Sequence, residues 1–296
     1  MLYDTTNKCL WLSISAPDAA RFACVTTFGG GAMGVSRNLQ TTHSRRDRMA
    51  GRVGLVTGGG SGIGRATALL MASEGAAAVV IAGRREQEGE AVAEQCRAAG
   101  AQALFVATDV TREADVARLV STTIAQFGRL DVAFNNAGYQ ERRAPVEAQD
   151  TTVYDTVFDA NVRSVFLCLK YQVPAMEAQG GGRIVINASV SGQRNPNPGL
   201  ALISASKAAV ISLMRSAAME CAPRGIRINA VAPGRVVTDM MLASGIADMS
   251  AVAAGLPLRR MGQPEEVAEA VVWLASDDAS FIVGHVLAAD GGFMAS

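Results

Sequence analysis

Residues 57–64 read Thr-Gly-Gly-Gly-Ser-Gly-Ile-Gly and lie between an apolar run, Val53–Thr57, and a helical pattern that starts at Ile63. An apolar run that breaks into glycines before a helix is typical of a buried strand followed by a tight turn. Glycines let such a turn approach a pyrophosphate, which then rests on the N–H groups at the start of the helix. The stretch therefore predicts a strand–turn–helix unit that binds phosphate groups, and a tight turn without a ligand is the alternative.

Two other glycine-containing motifs do not fit this stretch. A Walker-type loop requires Lys followed by Ser or Thr after its glycines, and neither follows here. A nucleophile elbow requires G-x-S-x-G, but Ile63 stands where the last glycine should be. The sequence therefore argues against both a Walker-type NTPase and an α/β-hydrolase.

Strand and helix patterns alternate along the rest of the chain. The predicted strands are Val53–Thr57, Ala78–Ala82, Ala103–Ala107, Val132–Phe134, Ile184–Ala188, Ile228–Val231 and Val286–Ala289. The predicted helices cover 63–74, 86–99, 112–127, 152–179, 203–222 and 264–276. Continuous apolar strands separated by helices indicate a parallel sheet covered on both faces. The sequence therefore predicts an α/β fold with a doubly wound parallel sheet of about seven strands and a binding crevice at their carboxyl ends.

Residues 1–48 differ from the rest of the chain because they show no sustained period of 2 or 3.6 residues. Met49-Ala50-Gly51-Arg52 is typical of a natural beginning. We therefore predict that residues 1–48 form a poorly ordered extension, whose basic residues Arg45, Arg46 and Arg48 are solvated. A signal peptide and a transit peptide are the alternatives.

Residues 49–296 are predicted to form a single domain, because no Pro/Ser-rich linker interrupts them. The stretch 235–262 is the least regular part and contains Gly245, Gly255 and Pro257. An irregular segment beside a crevice is a candidate substrate lid.

Composition excludes several classes of protein. The chain has 296 residues, of which 49% are hydrophobic and 18% are charged, and its formal net charge is zero, which argues against disorder and against nucleic-acid binding. No stretch approaches the ~18 uncharged apolar residues that a membrane span needs. The 2 histidines argue against a histidine-based metal site, and the 5 cysteines show no C-x-x-C spacing, which indicates a reducing compartment. We therefore predict a cytoplasmic protein without metal, membrane or nucleic-acid partners.

Taken together, the motifs of residues 50–296 resemble those of the short-chain dehydrogenase/reductase family. The turn at 57–64 has that family's spacing, Asn135-Asn136-Ala137-Gly138 matches its N-N-A-G signature, and Asp290-Gly291-Gly292 resembles its usual ending. The resemblance implies a Rossmann-type fold that binds a nicotinamide dinucleotide. The residues expected to contact the cofactor are Gly58, Ser61, Gly62, Ile63, Gly64, Arg84, Asp109, Val110, Asn136, Ala137, Gly138, Lys207, Pro233, Gly234 and Thr238.

The end of the second predicted strand indicates which nicotinamide cofactor is bound. An acidic residue there would bind the ribose hydroxyls and repel a 2′-phosphate, but this chain has Ala82-Gly83-Arg84-Arg85. The guanidinium of Arg84 suits a phosphate in geometry and charge. We therefore expect NADP(H) in preference to NAD(H); the alternative is that both arginines are solvated at the start of a helix.

The resemblance also implies catalytic roles for Asn161, Ser189 and Lys207, which stand at the family's active-site positions. In that family a Tyr four residues before the Lys protonates the substrate oxygen, but this chain has Ile203 there. Ile has no exchangeable proton, and loss of a general acid typically costs about 10²–10⁴-fold in rate. The sequence therefore predicts an impaired or altered reductase site.

Tyr139 is the candidate substitute acid, because it follows the N-N-A-G segment at the carboxyl end of a predicted strand. An aromatic residue at such a position is more often a wall of the pocket. A water positioned by Ser204 is another hypothesis for the proton source.

Three functions are compatible with the sequence. The first is an NADP(H)-dependent carbonyl reductase or alcohol dehydrogenase acting on a small or medium apolar substrate. The second is a catalytically inactive cofactor-binding subunit paired with an active homologue, and the third is a redox-neutral lyase, isomerase or cyclase. Family resemblance implies a homotetramer or homodimer, or a hetero-oligomer in the second case. We favour the first function because Asn161, Ser189 and Lys207 are all present.

Overall fold

Seven parallel strands form one sheet in the part of the chain that the computed structural model describes, namely residues 47–194, 198–244, 246 and 248–296. The strands are β1 (Val53–Thr57), β2 (Ala78–Gly83), β3 (Gln102–Ala107), β4 (Val132–Asn135), β5 (Gly182–Asn187), β6 (Ile226–Pro233) and β7 (Val286–Ala289). Their order is β3-β2-β1-β4-β5-β6-β7, so the direction of winding reverses between β1 and β4. Ligands of doubly wound sheets bind at such a reversal, outside the carboxyl ends of the strands. The predicted fold class is confirmed.

The helices cover both faces of this sheet. They are α1 (Gly62–Ser73), α2 (Glu86–Ala98), α3 (Glu113–Phe127), α4 (Thr151–Phe158), α5 (Ser164–Ala178), α6 (Ala201–Cys221), α7 (Asp239–Leu242), α8 (Met249–Ala254) and α9 (Pro264–Ala275). Successive side chains of β2 enter opposite cores: Val79 and Ile81 pack in one cluster, and Val80 and Ala82 in the other. The strands are apolar without alternation because both of their faces are buried.

The predicted helix over 152–179 is confirmed, and one turn within it is π-helical. A π-helical turn, Asp159–Arg163, separates α4 from α5 and contains Asn161. Such turns insert an extra residue into a helix and are frequent at functional sites. The Asn161 side chain is completely buried within this turn.

Arg48 belongs to the folded domain. Its Nη2 atom lies 2.6 Å from Glu74 Oε1 and 2.8 Å from Glu269 Oε2, and its side chain is only 10% exposed. The expectation that the basic cluster is solvated is therefore wrong for Arg48. Asp47 is exposed, and the remaining residues of the predicted extension, 1–46, lie outside the described residues.

Helix α6 also meets a length-and-composition test for a membrane span when its following turn is included, as Ala201–Arg224. Val210 and Met214 on this helix are completely buried in the core cluster that contains Ile226 and Ile228 of β6. Core packing therefore accounts for its apolar composition.

The two ends of the predicted lid, 235–262, are joined. Val236 and Gly262 form an isolated parallel bridge, in which Val237 N donates to Gly262 O at 2.9 Å and Gly262 N donates to Arg235 O at 2.9 Å. Between these ends lie α7 and α8, while Gly245 and residue 247 are outside the described residues. The segment therefore begins and ends at one bridge, just after the end of β6.

Candidate active site

The glycine turn connects β1 to α1 with little space for side chains. Gly58 and Gly62 have positive φ angles, and a β-carbon on Gly64 would lie 2.2 Å from the carbonyl oxygen of Gly58. Ser61 is the N-cap of α1, but its side chain makes no capping bond and the first turn holds no acidic residue. The leading N–H groups of α1 therefore suit an anion such as the pyrophosphate of a dinucleotide.

Hydrogen bonds join the carboxyl ends of β1, β4 and β5. Thr57 Oγ1 accepts from Asn136 N at 2.9 Å and from Ala137 N at 3.1 Å. Asn136 Nδ2 donates to the carbonyl oxygens of Thr57 and Gly58, and Asn187 Nδ2 donates to Asn136 Oδ1 at 2.9 Å. The amide of Asn136, a predicted cofactor contact, thus holds the glycine turn in place. Asn187, which the sequence analysis did not assign to the site, is its partner.

Asn161 connects the loop after β4 with α6. Its Oδ1 atom accepts from Tyr139 N at 2.8 Å, and its Nδ2 atom donates to Tyr139 O and to Ser206 Oγ, both at 2.9 Å. Ser206 Oγ in turn donates to the carbonyl oxygen of Ile203 at 2.8 Å. The Asn161 side chain therefore holds the backbone of Tyr139 directly and, through Ser206, the carbonyl group of Ile203. Both Tyr139 and Ile203 line the cavity. The sequence gives no local signal for Ser206 as the partner of Asn161.

Lys207 lies at the meeting point of three elements. Its Nζ atom donates to the carbonyl oxygen of Asn187 at 2.6 Å, and a β-carbon on Gly138 would lie 3.7 Å from this Nζ. Burial lowers the pKa of the Lys207 ammonium from its ordinary value of 10.5 to about 8. A β-carbon on Gly192 would lie 2.7 Å from the carbonyl carbon of Lys207, so the turn after Ser189 packs directly on α6.

One cavity at the carboxyl ends of the strands brings Ser189, Lys207 and Tyr139 together, and Ile203 forms part of its wall. Ser189 Oγ accepts from Ser191 N at 3.1 Å, and Tyr139 is 39% exposed. The apolar residues that line the same cavity are Ile63, Ala188, Val190, Leu200, Pro233, Val236, Met240, Met241 and Phe293. Asn187 also lines this cavity, and its Oδ1 atom is buried without a hydrogen-bond partner within the described ranges.

Glu141 is a buried residue that sequence reasoning missed. It is 2% exposed, and its Oε1 atom accepts from Leu202 N at 3.0 Å and from Ile203 N at 3.1 Å. The carboxylate thereby satisfies N–H groups in the first turn of α6, the helix that carries Lys207. Its neighbours Arg142 and Arg143 are exposed, so the local sequence resembles a solvated loop.

The adenosine end of the predicted crevice contains Arg85 in addition to Arg84. Arg85 Nη2 donates to Ser61 Oγ at 2.8 Å, and Arg85 Nη1 lies 3.3 Å from Glu88 Oε1. Arg84, the predicted phosphate ligand, is exposed at the same edge. Arg85 is therefore the arginine in contact with the glycine turn.

Asp109, the predicted cofactor contact after β3, is held by hydrogen bonds within its own turn. Asp109 Oδ1 accepts from Thr111 N at 3.0 Å and from Thr111 Oγ1 at 2.8 Å, while Asp109 N donates to Asp115 Oδ2 at 3.0 Å. Val110, the second predicted contact here, is half-buried. These bonds fix the turn between β3 and α3.

The loop after β6 reaches the glycine turn. A β-carbon on Gly62 would lie 3.3 Å from Thr238 Cγ2, and Thr238 Oγ1 accepts from Met241 N at 3.2 Å to cap α7. Gly234 N donates to Ala289 O at 3.1 Å, which holds the loop against β7. The predicted residues Pro233, Gly234 and Thr238 all line the cavity.

Comparison with known proteins agrees with this geometry. Residues 58–294 match the family profile described as enoyl-(acyl carrier protein) reductase. The chain is 46% identical over 254 residues to a cis-4-hydroxycyclohexanecarboxylate dehydrogenase of Sinomonas cyclohexanicum, covering 84% of this chain and 99% of that protein. It is 41% identical over 252 residues to an A-factor type gamma-butyrolactone 1'-reductase of Streptomyces virginiae, covering 84% of this chain and 98% of that protein.

Solved structures of short-chain dehydrogenases and reductases are similar to this chain as well. The crystal structure of levodione reductase superposes with a TM-score of 0.80 at 36% identity, covering 84% of this chain and 99% of that one. A short-chain type dehydrogenase/reductase from Mycobacterium marinum superposes with a TM-score of 0.79 at 33% identity, covering 84% of this chain and 97% of that one. Because these similarities extend across the sheet, the glycine turn and the cavity, the chain belongs to the short-chain dehydrogenase/reductase family.

Proposed function

We propose that this protein is an NADP(H)-dependent carbonyl reductase or alcohol dehydrogenase whose rate is limited by Ile203. The carrying observation is the shared cavity of Ser189, Lys207 and Ile203 beside the glycine turn. The relatives are named dehydrogenases and reductases, which supports an oxidoreductase. When bound, the nicotinamide supplies a hydride in reduction and accepts one in oxidation.

The cofactor preference rests on charge at the end of β2. Gly83 offers no carboxylate, a β-carbon there would meet nothing within 4 Å, and Arg84 and Arg85 are both at this edge. The Arg85–Ser61 hydrogen bond keeps one guanidinium on the glycine turn. Two guanidinium groups without a carboxylate at residue 83 favour a 2′-phosphate over a free ribose hydroxyl.

The proton must come from a group other than residue 203. Ser189 is suited to orient the substrate oxygen with its hydroxyl, and Lys207 holds a proton with a pKa of about 8, close to working pH. We assign proton delivery to Lys207 through a water molecule in the space that a phenol would fill. Tyr139, whose backbone is fixed by Asn161, is the second source, and unchanged turnover in Tyr139→Phe would eliminate it.

The substrate is expected to be a small or medium, largely apolar ketone or alcohol. Apolar side chains line much of the cavity, among them Val190, Leu200 and Ile203. The proposed lid, 235–262, adds the flexible apolar side chains of Met240 and Met241. Two relatives are named for cyclic alcohols, a hydroxycyclohexanecarboxylate and a cyclohexadienediol. Cyclic ketones are therefore the first compounds to assay.

The proposed assembly is a homotetramer or homodimer in the cytoplasm. Large hydrophobic side chains are exposed on α4 and α5, with Tyr154 46% and Phe166 51% exposed. Burial of these side chains in a second copy would remove the exposed patch from water. The three cysteines of the described part, Cys96, Cys168 and Cys221, are free and buried, which agrees with a reducing compartment.

The test is NADPH consumption by the purified chain with a panel of cyclic ketones, followed by fluorescence, with NADH in parallel. We expect slow turnover that Ser189→Ala and Lys207→Met abolish, and a KM for NADPH that rises about tenfold in Arg85→Met while that for NADH stays unchanged. Arg215→Met, an exposed charge change on α6, is the matched control.

Two other outcomes would contradict the proposal. Cofactor binding without consumption on any ketone would indicate the inactive partner subunit. Product formation without net cofactor consumption would indicate a lyase, isomerase or cyclase.

A further inference from the structure

Arg235 places a positive charge in the active-site cavity. It follows Gly234 at the end of β6, and it lines the same cavity as Ser189, Ile203 and Lys207. Its carbonyl oxygen accepts from Gly262 N at 2.9 Å, so its backbone is held at the closed base of the proposed lid. The residue is half-buried, which weakens the screening of its charge by solvent.

The cavity that contains Ser189 and Lys207 is electropositive beside Arg235, whereas a second cavity that Arg235 also lines contains Glu266 and Asp290. Burial and the positive charge of Arg143 both lower the pKa of Arg235, and a guanidinium stays protonated in proteins. Of the described residues that line the active-site cavity, none is Asp or Glu, and the two cationic ones are Lys207 and Arg235. An anionic group would therefore be attracted into an otherwise largely apolar space.

The two cations have different tasks. Lys207 Nζ is bonded to the carbonyl oxygen of Asn187 and serves the reacting end of the substrate. A guanidinium has five N–H donors in a planar fork, so Arg235 can bind a carboxylate in addition to its other contacts. A single guanidinium matches the one charge of a carboxylate, whereas a phosphate dianion would keep an unpaired charge in a partly buried site.

We propose that the preferred substrate carries a carboxylate remote from its reacting carbonyl or alcohol, and that Arg235 binds that carboxylate. This inference rests on the proposed function, because it names the substrate class of the same cavity. Arg235 then determines specificity: it selects an oxo acid or hydroxy acid over the neutral analogue and fixes which end of the molecule faces Ser189.

The test compares two ligands of the same shape that differ in charge. Cyclohexanecarboxylate and cyclohexanecarboxamide are titrated by calorimetry into the wild-type chain, with and without NADPH. We expect the carboxylate to bind about tenfold or more tightly than the amide. Arg235→Met should remove this difference by weakening the carboxylate alone, Arg235→Lys should keep part of it, and the control Arg215→Met should retain all of it.

Several outcomes would overturn the inference. These are equal binding of the two ligands by the wild-type chain, no binding of either, and a carboxylate preference that persists in a folded Arg235→Met. Even if Arg235→Met does not fold, the binding of the two ligands to the wild-type chain shows whether the cavity prefers a carboxylate. NADPH titration and turnover assays test the proposed function independently of this comparison of ligands. A carboxylate preference without turnover would leave Arg235 assigned, and turnover without a preference would refute only this inference.

Discussion

Ile203 and Lys207 are one helical turn apart on α6, and together they define what the cavity can do. Ile203 is 8% exposed and offers the cavity only an aliphatic surface. Lys207 is 7% exposed and keeps its ammonium on the carbonyl oxygen of Asn187. Under the proposed function, a cavity with this cation and no phenol at residue 203 would use Lys207 as its proton source.

The buried Lys207 makes a prediction about stability. The folded state releases this proton near pH 8 and the unfolded chain near pH 10.5, so between these values the unfolded state binds more protons and stability rises with pH. The Lys207→Met variant has no ionisable group at this position, so its stability does not change with pH for this reason. The unfolding free energy of the wild-type chain relative to the variant should therefore increase by up to about 3 kcal/mol across that interval. Urea unfolding of both proteins at a series of pH values measures it, and a pH-independent difference would show that Lys207 titrates normally.

At the scale of elements, α6 depends on a carboxylate from another loop. Glu141, in the loop after β4, bonds the N–H groups of Leu202 and Ile203, so the first turn of α6 is fixed to the end of β4. The turn at Gly192 packs on the same helix at Lys207. Ser189, Ile203 and Lys207 are therefore positioned by contacts between elements, and no single segment carries this geometry.

Removal of the Glu141 carboxylate should destabilise the protein. Glu141→Leu leaves buried N–H groups of α6 without an acceptor, so we expect a loss of about 2 kcal/mol in the free energy of unfolding. Glu141→Gln keeps an amide oxygen in the same place and should lose less. Chemical denaturation compares the two variants, and equal stability of Leu and Gln would show that the hydrogen bonds to Leu202 and Ile203 contribute nothing.

At the scale of the whole molecule, Arg48 joins the start of the domain to helices distant in sequence. Glu74 follows α1 and Glu269 lies in α9, and both carboxylates bond the same guanidinium. The Glu74 side chain is 6% exposed, so it relies on Arg48 for its counter-charge. Arg48 therefore links the end of α1 to α9 through its two carboxylate partners.

Loss of this pair should be costly. Arg48→Met leaves Glu74 buried without its partner, and we expect about 3 kcal/mol less stability. The matched control is Lys170→Met, because Lys170 and Glu113 are 48% and 44% exposed and a solvent-exposed ion pair contributes little to stability. Unfolding by urea measures both variants; losses of similar size would mean that burial of Glu74 is unimportant.

The sequence predicted the strands closely, because buried parallel strands such as Ala78–Gly83 are apolar on both faces and end in glycine or polar residues. The topology of a doubly wound sheet predicted the crevice, and the resemblance to the short-chain dehydrogenase/reductase family indicated Ser189 and Lys207, which the structure brings to one cavity. The sequence did not reveal Glu141, Ser206 or the π-helical turn around Asn161. Each of these depends on distances between segments far apart in sequence, on which local patterns carry no information.

We propose that this cavity is a reductase site in which Ile203 stands where a proton donor would accelerate the reaction. The direct measurement is single-turnover oxidation of NADPH by Ile203→Tyr and Ile203→Phe on the same cyclic ketones. The two side chains have the same ring, so only the hydroxyl differs. We predict that the Tyr variant reacts about 10²–10⁴-fold faster than the Phe variant. Equal rates in two folded, cofactor-binding variants would contradict the account.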